Sequence, residues 1–442
     1  MEYYSYDNSY SLLHTPDGVR DIYNGECELK LHLQNKIHHV LHLYGFRDIQ
    51  TPSFEFFDIF NKERGTIPSR EMYKFFDREG NTLVLRPDFT PSIGRCAAKY
   101  FKDEELPVRL CYIGNTFINN SSHQGKLNET TQVGAELFND ASVEADAEIV
   151  ALTIDSLLLA GLKEFQIEIG HGGFVNSLLE EANFTNEEAM ELKMLLEQKN
   201  LFGIDDIVSK KDMNENTKEL LLALPEMFGS IEHLQTAKAK TNNPKALAVI
   251  KRLEELYTII DGYGLANYLS FDLGMLSRYN YYTGIILRGV TYGTGEIIAQ
   301  GGRYDNLVGQ FGKESPAIGV AFVVDALMQA VSRQKIKTWS EETSVLVLYD
   351  ADLHMDAVNV VKTLRQNQIQ AQLLRKKDDY NVEDYVTFAK GNAITEILNL
   401  TGKESAERIT DITLDSKPVQ KNGNTDEMMT LCINEAKRKE NE

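Results

Sequence analysis

Residues 131–138 alternate between polar and apolar side chains and therefore predict a β-strand with two chemically different faces. The apolar face would point into a core and would carry Val133, Ala135 and Leu137. The other face would carry the amide of Gln132 and the carboxylate of Glu136, with Gly134 leaving space between them. This second face suits a small polar ligand, although an ordinary solvent-facing strand would show the same alternation.

The other periodicities indicate an α+β fold. A helix is expected to end before Gly45 and to lead into a strand over 46–51, and residues 76–86 predict a hairpin around Gly80 and Asn81. Residues 109–118 and the segment from 165 are strand-like, and residues 140–160 are helical. Residues 175–263 predict a helical insertion, with a capping box from Thr185 and an N-cap at Asn243.

These segments predict the domain organisation. We expect strands packed with helices over 1–334, including the insertion at about 175–263, and then a linker over 335–343. The αβαβ rhythm of 344–418 indicates a small C-terminal α/β domain. Residues 419–442 are expected to form a charged, partly disordered tail.

Charge and cysteine usage restrict the class of function. The 442 residues include 46 Lys and Arg against 66 Asp and Glu, which gives a formal net charge of −20. Nucleic-acid affinity comes largely from cations on phosphates, so this balance disfavours tRNA, although an acidic surface also simply aids solubility. The four cysteines are widely spaced, as in reduced intracellular thiols. Without a signal-peptide pattern or a long apolar run, a cytoplasmic protein that does not enter a membrane is expected.

Four histidines, His32, His38, His39 and His42, lie on the first predicted helix and raise the question of a metal site. The sequence offers no acidic or thiol partner at ligand spacing beside them. We therefore expect a partly exposed polar face and no metal.

Several motifs resemble those of the histidyl-tRNA synthetases and occur in that family's order over roughly residues 11–330. Motif 2 of that family resembles three segments of this chain taken together, 109–118, 125–129 and 132–136. The opening segment of the family resembles residues 15–21. Leu85-Arg-Pro-Asp-Phe-Thr90 is similar to the amino-acid loop, although the family usually has Glu where Asp88 stands. Segments 281–284 and 301–307 resemble the histidine-specific segments. The resemblance implies a class II aminoacyl-tRNA synthetase-like fold, with an antiparallel sheet and helices over 1–334. For 344–418 it implies a weak likeness to the anticodon-binding domain.

The chain departs from that family where the synthetases carry catalytic arginines. The corresponding positions are Ile118, Ser277 and Ala326. Arginine offers a planar fork of donors for phosphate and carboxylate, which none of these residues can replace. Loss of adenylation is therefore expected, unless Arg278 or Arg288 compensates.

This pattern of loss resembles the regulatory subunits of ATP phosphoribosyltransferase. That resemblance implies a non-catalytic subunit without a cofactor that activates the short-form catalytic subunit in the first step of L-histidine biosynthesis and mediates histidine inhibition. It also implies a hetero-oligomer, expected to be an octamer. The resemblance to the synthetases implies in addition a dimer of this chain through about Leu33–Pro52. The alternatives are a synthetase-like histidine or tRNA sensor and an active histidine–tRNA ligase.

The resemblance further implies a pocket for free L-histidine. The synthetase residues that match Asp88, Thr90 and Gln132 hold the amino-acid ammonium group. Those that match Glu136 and Tyr281 contact the imidazole, with Tyr282 beside them. A carboxylate and a hydroxyl suit an imidazole with one donor and one acceptor nitrogen. Because Ser277 replaces the arginine that anchors the carboxylate, affinity would be modest, and a vestigial pocket is the alternative.

Overall fold

The computed structural model describes residues 13–61, 67–120, 125–276, 281–336, 343–412 and 417–441. The chain divides into two compact units, Met1–Ile22 with Leu29–Ile336, and Tyr23–Glu28 with Lys337–Glu442. Part of the expected linker and Ser277 lie outside the described residues. None of the described helices combines the length and the apolar character needed to cross a bilayer.

The strands of the first unit build one large sheet and one small sheet. In chain order they are β1 Arg47–Asp48, β2 Phe54–Phe56, β3 Lys74–Phe76, β4 Thr82–Leu85, β5 Val108–Phe117, β6 Glu129–Phe138, β7 Phe165–His171, β8 Phe228–Gly229, β9 Leu269–Asp272, β10 Ile285–Thr291, β11 Ala299–Arg303 and β12 Ala317–Val323. Among the described residues the large sheet has nine strands in the order β1-β5-β6-β12-β11-β10-β7-β9-β8, and the small one has the order β2-β4-β3.

The large sheet is antiparallel at its centre and parallel at β1–β5 and β7–β9. The prediction of an antiparallel sheet therefore holds for the central strands, whereas the sheet as a whole is mixed. The expected hairpin is present as β3 and β4, which pair across a turn with Gly80 at φ +85°.

The helices of the first unit include the predicted insertion. They are α1 Asn24–Leu43, α2 Thr90–Tyr100, α3 Val143–Leu159, α4 Gly172–Glu181, α5 Asn186–Glu197, α6 Leu201–Ser209, α7 Glu215–Ala223, α8 Glu232–Lys240, α9 Pro244–Gly262 and α10 Val324–Arg333. Thr185 forms the predicted capping box, and the side chain of Asn243 caps α9. Gly45 follows α1 with φ +80°, as a C-cap glycine does.

The main core lies between the helices and one face of the large sheet. Val133, Ala135 and Leu137 of β6 are buried in this core with α1 and α3, as the alternation of the sequence predicts. The opposite face of the sheet packs into a separate aromatic cluster that includes Phe89 and Tyr304. Both faces of β6 are therefore covered, which excludes the alternative of a solvent-facing strand.

The second unit is a small α/β arrangement. Its elements are β13 Ser344–Tyr349, α11 His354–Gln366, β14 Gln370–Arg375, α12 Val382–Gly391, β15 Glu396–Gly402, β16 Ser405–Thr410, β17 Val419–Asn424 and α13 Thr425–Asn441. The strand order is β14-β13-β15-β16-β17, with β14, β13 and β15 parallel and the last two strands antiparallel.

The structure differs from the prediction of a charged, partly disordered tail over 419–442. Strand β17 continues the sheet, and α13 packs onto it through Met428 and Cys432, which are fully buried. Arg408 of β16 also binds the carboxylate of Glu435 on α13 at 2.6 Å. One apolar contact per helical turn, supported by an ion pair, fixes a helix that is otherwise mostly polar.

Candidate functional site

A small cavity opens on the aromatic side of the large sheet. Its free volume is about 20 Å³, which is room for roughly one water molecule as the side chains stand. All six residues predicted for histidine binding line it: Asp88, Thr90, Gln132, Glu136, Tyr281 and Tyr282. The remaining walls come from neighbouring strands and include Gln300, Gly301, Tyr304 and Gly319.

Glu136 lies at the floor of this cavity and is only 2 % exposed. The hydroxyl of Thr90 donates a hydrogen bond to its Oε1 at 2.8 Å, and the hydroxyl of Tyr304 donates to its Oε2. Burial raises the pKa of the Glu136 carboxyl to about 8, against the effect of these two donors, and the nearby charge of Asp88 raises it further. Glu136 is therefore held in place by donors and poised to ionise near neutral pH.

Asp88 is the second buried carboxyl of the cavity. The Tyr281 hydroxyl donates to its Oδ2 at 3.0 Å, and the backbone N–H of Thr90 donates to its Oδ1 at 3.1 Å. Burial raises the pKa of Asp88 as well, although these hydrogen bonds act in the opposite direction. Residues expected at opposite ends of a histidine ligand are thus paired with one another: Tyr281 with Asp88, and Thr90 with Glu136.

Gln132 lies on the same face of β6 as Glu136, two strand repeats before it. The oxygen of its side-chain amide is buried and has no hydrogen-bond partner among the described residues. An unpaired acceptor is costly in a buried site, and a ligand N–H would satisfy it. Together with the two carboxyls, this oxygen makes the cavity attractive to a donor-rich or cationic group.

Gly134 was predicted to leave space for a ligand between Gln132 and Glu136, but a side chain of the protein fills that space. The Tyr112 hydroxyl occupies it, since a Cβ on Gly134 would lie 2.3 Å from that oxygen. Tyr112 is itself buried and stacks on Phe89 at 4.2 Å between ring centroids. Space for the Glu136 carboxyl comes from Gly319 on the neighbouring strand, where a Cβ would lie 1.7 Å from Oε2.

Sequence reasoning missed Tyr304 as a pocket residue. It is 1 % exposed, and burial together with the neighbouring Glu136 carboxyl raises its pKa well above the usual range of tyrosine. The signal was present, because Tyr304 belongs to segment 301–307, which resembles a histidine-specific segment. Its role could not be assigned because it directly follows β11, a strand that lies two positions from β6 in the sheet.

No arginine or lysine lines this cavity among the residues that the structure describes. Ile118 packs against a small apolar cluster with Phe60, Ile67 and Val84, and Ala326 is buried in the main core. Arg288, a candidate for compensation, donates to the carbonyl of Leu276. Arg278, like Ser277, falls outside the described residues.

The expectation that the histidines of α1 lack acidic and thiol partners is wrong. The ligand atoms of His38, His42, Asp48 and Cys111 all lie within 4.8 Å of one another. Asp48 comes from β1 and Cys111 from β5, so the sequence spacing could not reveal the cluster. His32 and His39 are not part of it.

The fold belongs to a known class. The family model described as Histidyl-tRNA synthetase matches residues 18–327. A histidyl-tRNA synthetase from Nostoc sp. PCC 7120 superposes with a TM-score of 0.77 over 96 % of this chain and 99 % of that one, at 18 % identity. The molecule thus has the class II synthetase-like fold of the histidyl-tRNA synthetases.

Relatives of higher identity define the family more narrowly. The "ATP phosphoribosyltransferase regulatory subunit" of Acetivibrio thermocellus is 38 % identical over 398 residues, which cover 89 % of this chain and 94 % of that protein. A solved structure described as "an ATP phosphoribosyltransferase regulatory subunit/histidyl-tRNA synthetase" from Bacillus halodurans is 28 % identical, with a TM-score of 0.79 over 88 % of this chain and 99 % of that one. The chain belongs to the family of ATP phosphoribosyltransferase regulatory subunits, and the names of these relatives indicate a non-catalytic role.

Proposed function

We propose that this chain activates a short-form ATP phosphoribosyltransferase catalytic subunit and mediates its inhibition by histidine. The partner would join phosphoribosyl pyrophosphate to ATP, and no residue of this chain need touch the reacting bonds. One observation supports the proposal: the six residues that match the synthetase amino-acid site line one cavity, and no cation belongs to its described lining. Such a site can hold an amino acid without activating it.

The loss of adenylation follows from what occupies the arginine positions. Adenylation needs cations on the ATP phosphates, and removal of one such donor commonly costs on the order of 10² to 10³ in rate. Ile118 and Ala326 contribute apolar packing instead. Asp325, beside Ala326, is occupied by Lys30 at 3.0 Å and by the backbone N–H of Thr131 at 2.6 Å. These contacts serve the fold.

Free histidine fits the chemistry of the cavity. Its ammonium group would lie near Asp88 and the unpaired oxygen of Gln132, and its imidazole near Glu136 and Tyr281. The ammonium group would offset the charge of Asp88, and an N–H of the imidazole would donate a hydrogen bond to Glu136. Because no described cation binds the carboxylate of the ligand, we expect the affinity for histidine to be modest. Modest affinity suits a feedback inhibitor, since the inhibition can then follow the histidine concentration over a range.

The first test is an inhibition curve of the reconstituted complex. Glu136→Ala removes one charged hydrogen-bond partner, which costs roughly 1.5 to 3 kcal/mol, or about ten- to a hundredfold in histidine affinity. We expect weaker histidine inhibition with activation of the catalytic subunit retained, and the same for Asp88→Ala. Glu197→Ala, which removes an exposed carboxylate from the insertion, is the matched control.

An unchanged inhibition curve for Glu136→Ala with unchanged activation would move the histidine site away from this pocket. Failure of the wild-type chain to activate any short-form catalytic subunit would refute the larger proposal.

The second test addresses catalysis by this chain alone. The purified protein should give no histidine-dependent exchange between ATP and pyrophosphate, because none of the described residues that line the pocket supplies a cation of the kind that adenylation uses. A complete histidyl-tRNA synthetase in the same assay is the positive control. Exchange clearly above the buffer background would favour an active ligase instead.

A further inference from the structure

A second group of ligand-type side chains lies at the carboxyl end of α1, away from the residues of the pocket. His38 and His42 are one helical turn apart and therefore share a face of α1. Asp48 belongs to β1, where the parallel register places it opposite Cys111 of β5. The end of a helix and two paired strands thus bring two imidazoles, a carboxylate and a thiol to one point.

The contacts show that these groups face a common centre. His38 Nε2 lies 2.5 Å from Asp48 Oδ1, and His42 Nε2 lies 3.0 Å from Asp48 Oδ2. The Cys111 thiol donates to Asp48 Oδ1 at 3.5 Å. Both imidazoles therefore direct the same type of nitrogen, and the thiol its sulfur, towards a single carboxylate.

The spacing is close to that of a tetrahedral metal centre. With ligand bonds of about 2.0 to 2.3 Å, neighbouring donor atoms around Zn²⁺ are roughly 3.4 to 3.8 Å apart. The donor atoms here all lie within 4.8 Å of one another. The most distant atoms would have to approach by about 1 Å, and the closest pair, His38 Nε2 and Asp48 Oδ1 at 2.5 Å, would have to separate by about as much. Side-chain rotations at the exposed Asp48 and His42 can supply such shifts.

The cluster is buried on one side and exposed to solvent on the other. Cys111 is fully buried, and the helix that carries the histidines is anchored by the buried side chains of Ile37 and Leu41. His42 remains 44 % exposed, and Asp48 lies at the surface. A cation could enter from solvent while the backbone positions of all four ligands stay in place.

We propose that His38, His42, Asp48 and Cys111 form a four-coordinate site for Zn²⁺. Imidazole nitrogen with thiolate sulfur is a ligand combination that this cation favours, and an exposed carboxylate completes the four positions. On binding, the Cys111 thiol releases its proton to solvent and forms the sulfur–zinc bond. Two neutral imidazoles and two anionic ligands then balance the charge of the ion.

The role that follows is structural. All four positions would be filled by side chains, so no position remains for a reacting water. The ion would connect the end of α1 to β1 and β5, and β5 pairs with β6, the strand that carries Glu136. The proposal does not depend on the phosphoribosyltransferase function, since the four residues lie outside the pocket lining.

The experiment measures metal binding directly on the full chain, stripped with a chelator and kept reduced. Titration with Zn²⁺ should give one site per chain, and Co²⁺ as a probe should give the charge-transfer absorption of a cobalt–thiolate bond. Loss of an outer partner of a metal ligand typically costs about ten- to a hundredfold in affinity, so loss of a ligand should cost at least as much. We expect this loss for Cys111→Ser and for His42→Ala.

His39→Ala is the matched control, because His39 is an exposed neighbour on the same helix that does not belong to the cluster. Since His42 is partly exposed, His42→Ala tests the site even if Cys111→Ser fails to fold. Equal loss for His39→Ala and His42→Ala would indicate unspecific binding to surface histidines and overturn the proposal. The absence of the cobalt–thiolate absorption, or Zn²⁺ affinity unchanged in both ligand variants, would overturn it as well.

Discussion

At the scale of single residues, the pocket is defined by two buried carboxyls, and no cation among its described lining residues offsets their negative charge. Burial raises the pKa of both Glu136 and Asp88, and the charge of Asp88 contributes to the shift of Glu136 to about 8. At neutral pH Glu136 is then largely protonated while the pocket is empty. A cationic ligand would stabilise its ionised form, so ligand binding and proton release from Glu136 should be coupled.

The raised pKa of Glu136 has a consequence for stability. Between an unfolded value of about 4.5 and a folded value of about 8, the folded protein holds a proton that the unfolded chain has lost. Stability is therefore expected to fall as pH rises across this window, and the loss remains at its full size above pH 8. Glu136→Gln cannot ionise and should remove this part of the slope, on the order of a few kcal/mol.

The measurement is denaturant unfolding of the wild type and of Glu136→Gln at several pH values from about 5 to 9. Glu197→Gln, at an exposed site, serves as control and should follow the wild-type curve. Parallel curves for the wild type and Glu136→Gln would show that the carboxyl is already ionised in the folded protein.

At the scale of elements, the sequence predicts what local periodicity determines. The alternation in β6 separates Glu136 from the core residues, and the turn at Gly80, the capping box at Thr185 and the N-cap at Asn243 lie where expected. Each of these signals involves residues only a few positions apart, so side-chain chemistry and backbone geometry agree without tertiary information.

Features that depend on contacts between distant elements were missed. The space beside Gly134 is filled by Tyr112 from the neighbouring strand. The cluster of metal-ligand side chains joins Asp48 to Cys111, which lies 63 positions further along the chain. Helix α13 has a narrow apolar stripe that gains stability only by packing onto the second sheet through residues such as Met428. A mostly polar helix with one apolar stripe cannot be distinguished from a charged tail until the surface on which it packs is known.

At the scale of the whole molecule, one surface of the small sheet has no apolar cover within the described residues of the chain. Phe54 and Phe56 of β2 are 50 % and 56 % exposed, and Phe75 of β3 lies beside Phe54 at 5.6 Å between ring centroids. The opposite face of this sheet packs inwards through Val84. Exposed aromatic faces of this type commonly mark interaction surfaces.

Strand β2, which carries Phe54 and Phe56, comes directly after the segment Leu33–Pro52 in the sequence. The resemblance to the synthetases implies that this segment forms a dimer interface. We therefore predict that the chain is at least dimeric without a catalytic partner, and that Phe54→Ser combined with Phe56→Ser shifts it towards monomer by removing apolar contact area. Sedimentation at micromolar concentration measures both states. Phe202→Ser, at an 89 % exposed position on the helical insertion, is the matched control and should leave the dimer intact. A monomeric wild type would contradict the predicted interface, whereas an unaffected double variant would place the contact on α1 or β1 instead.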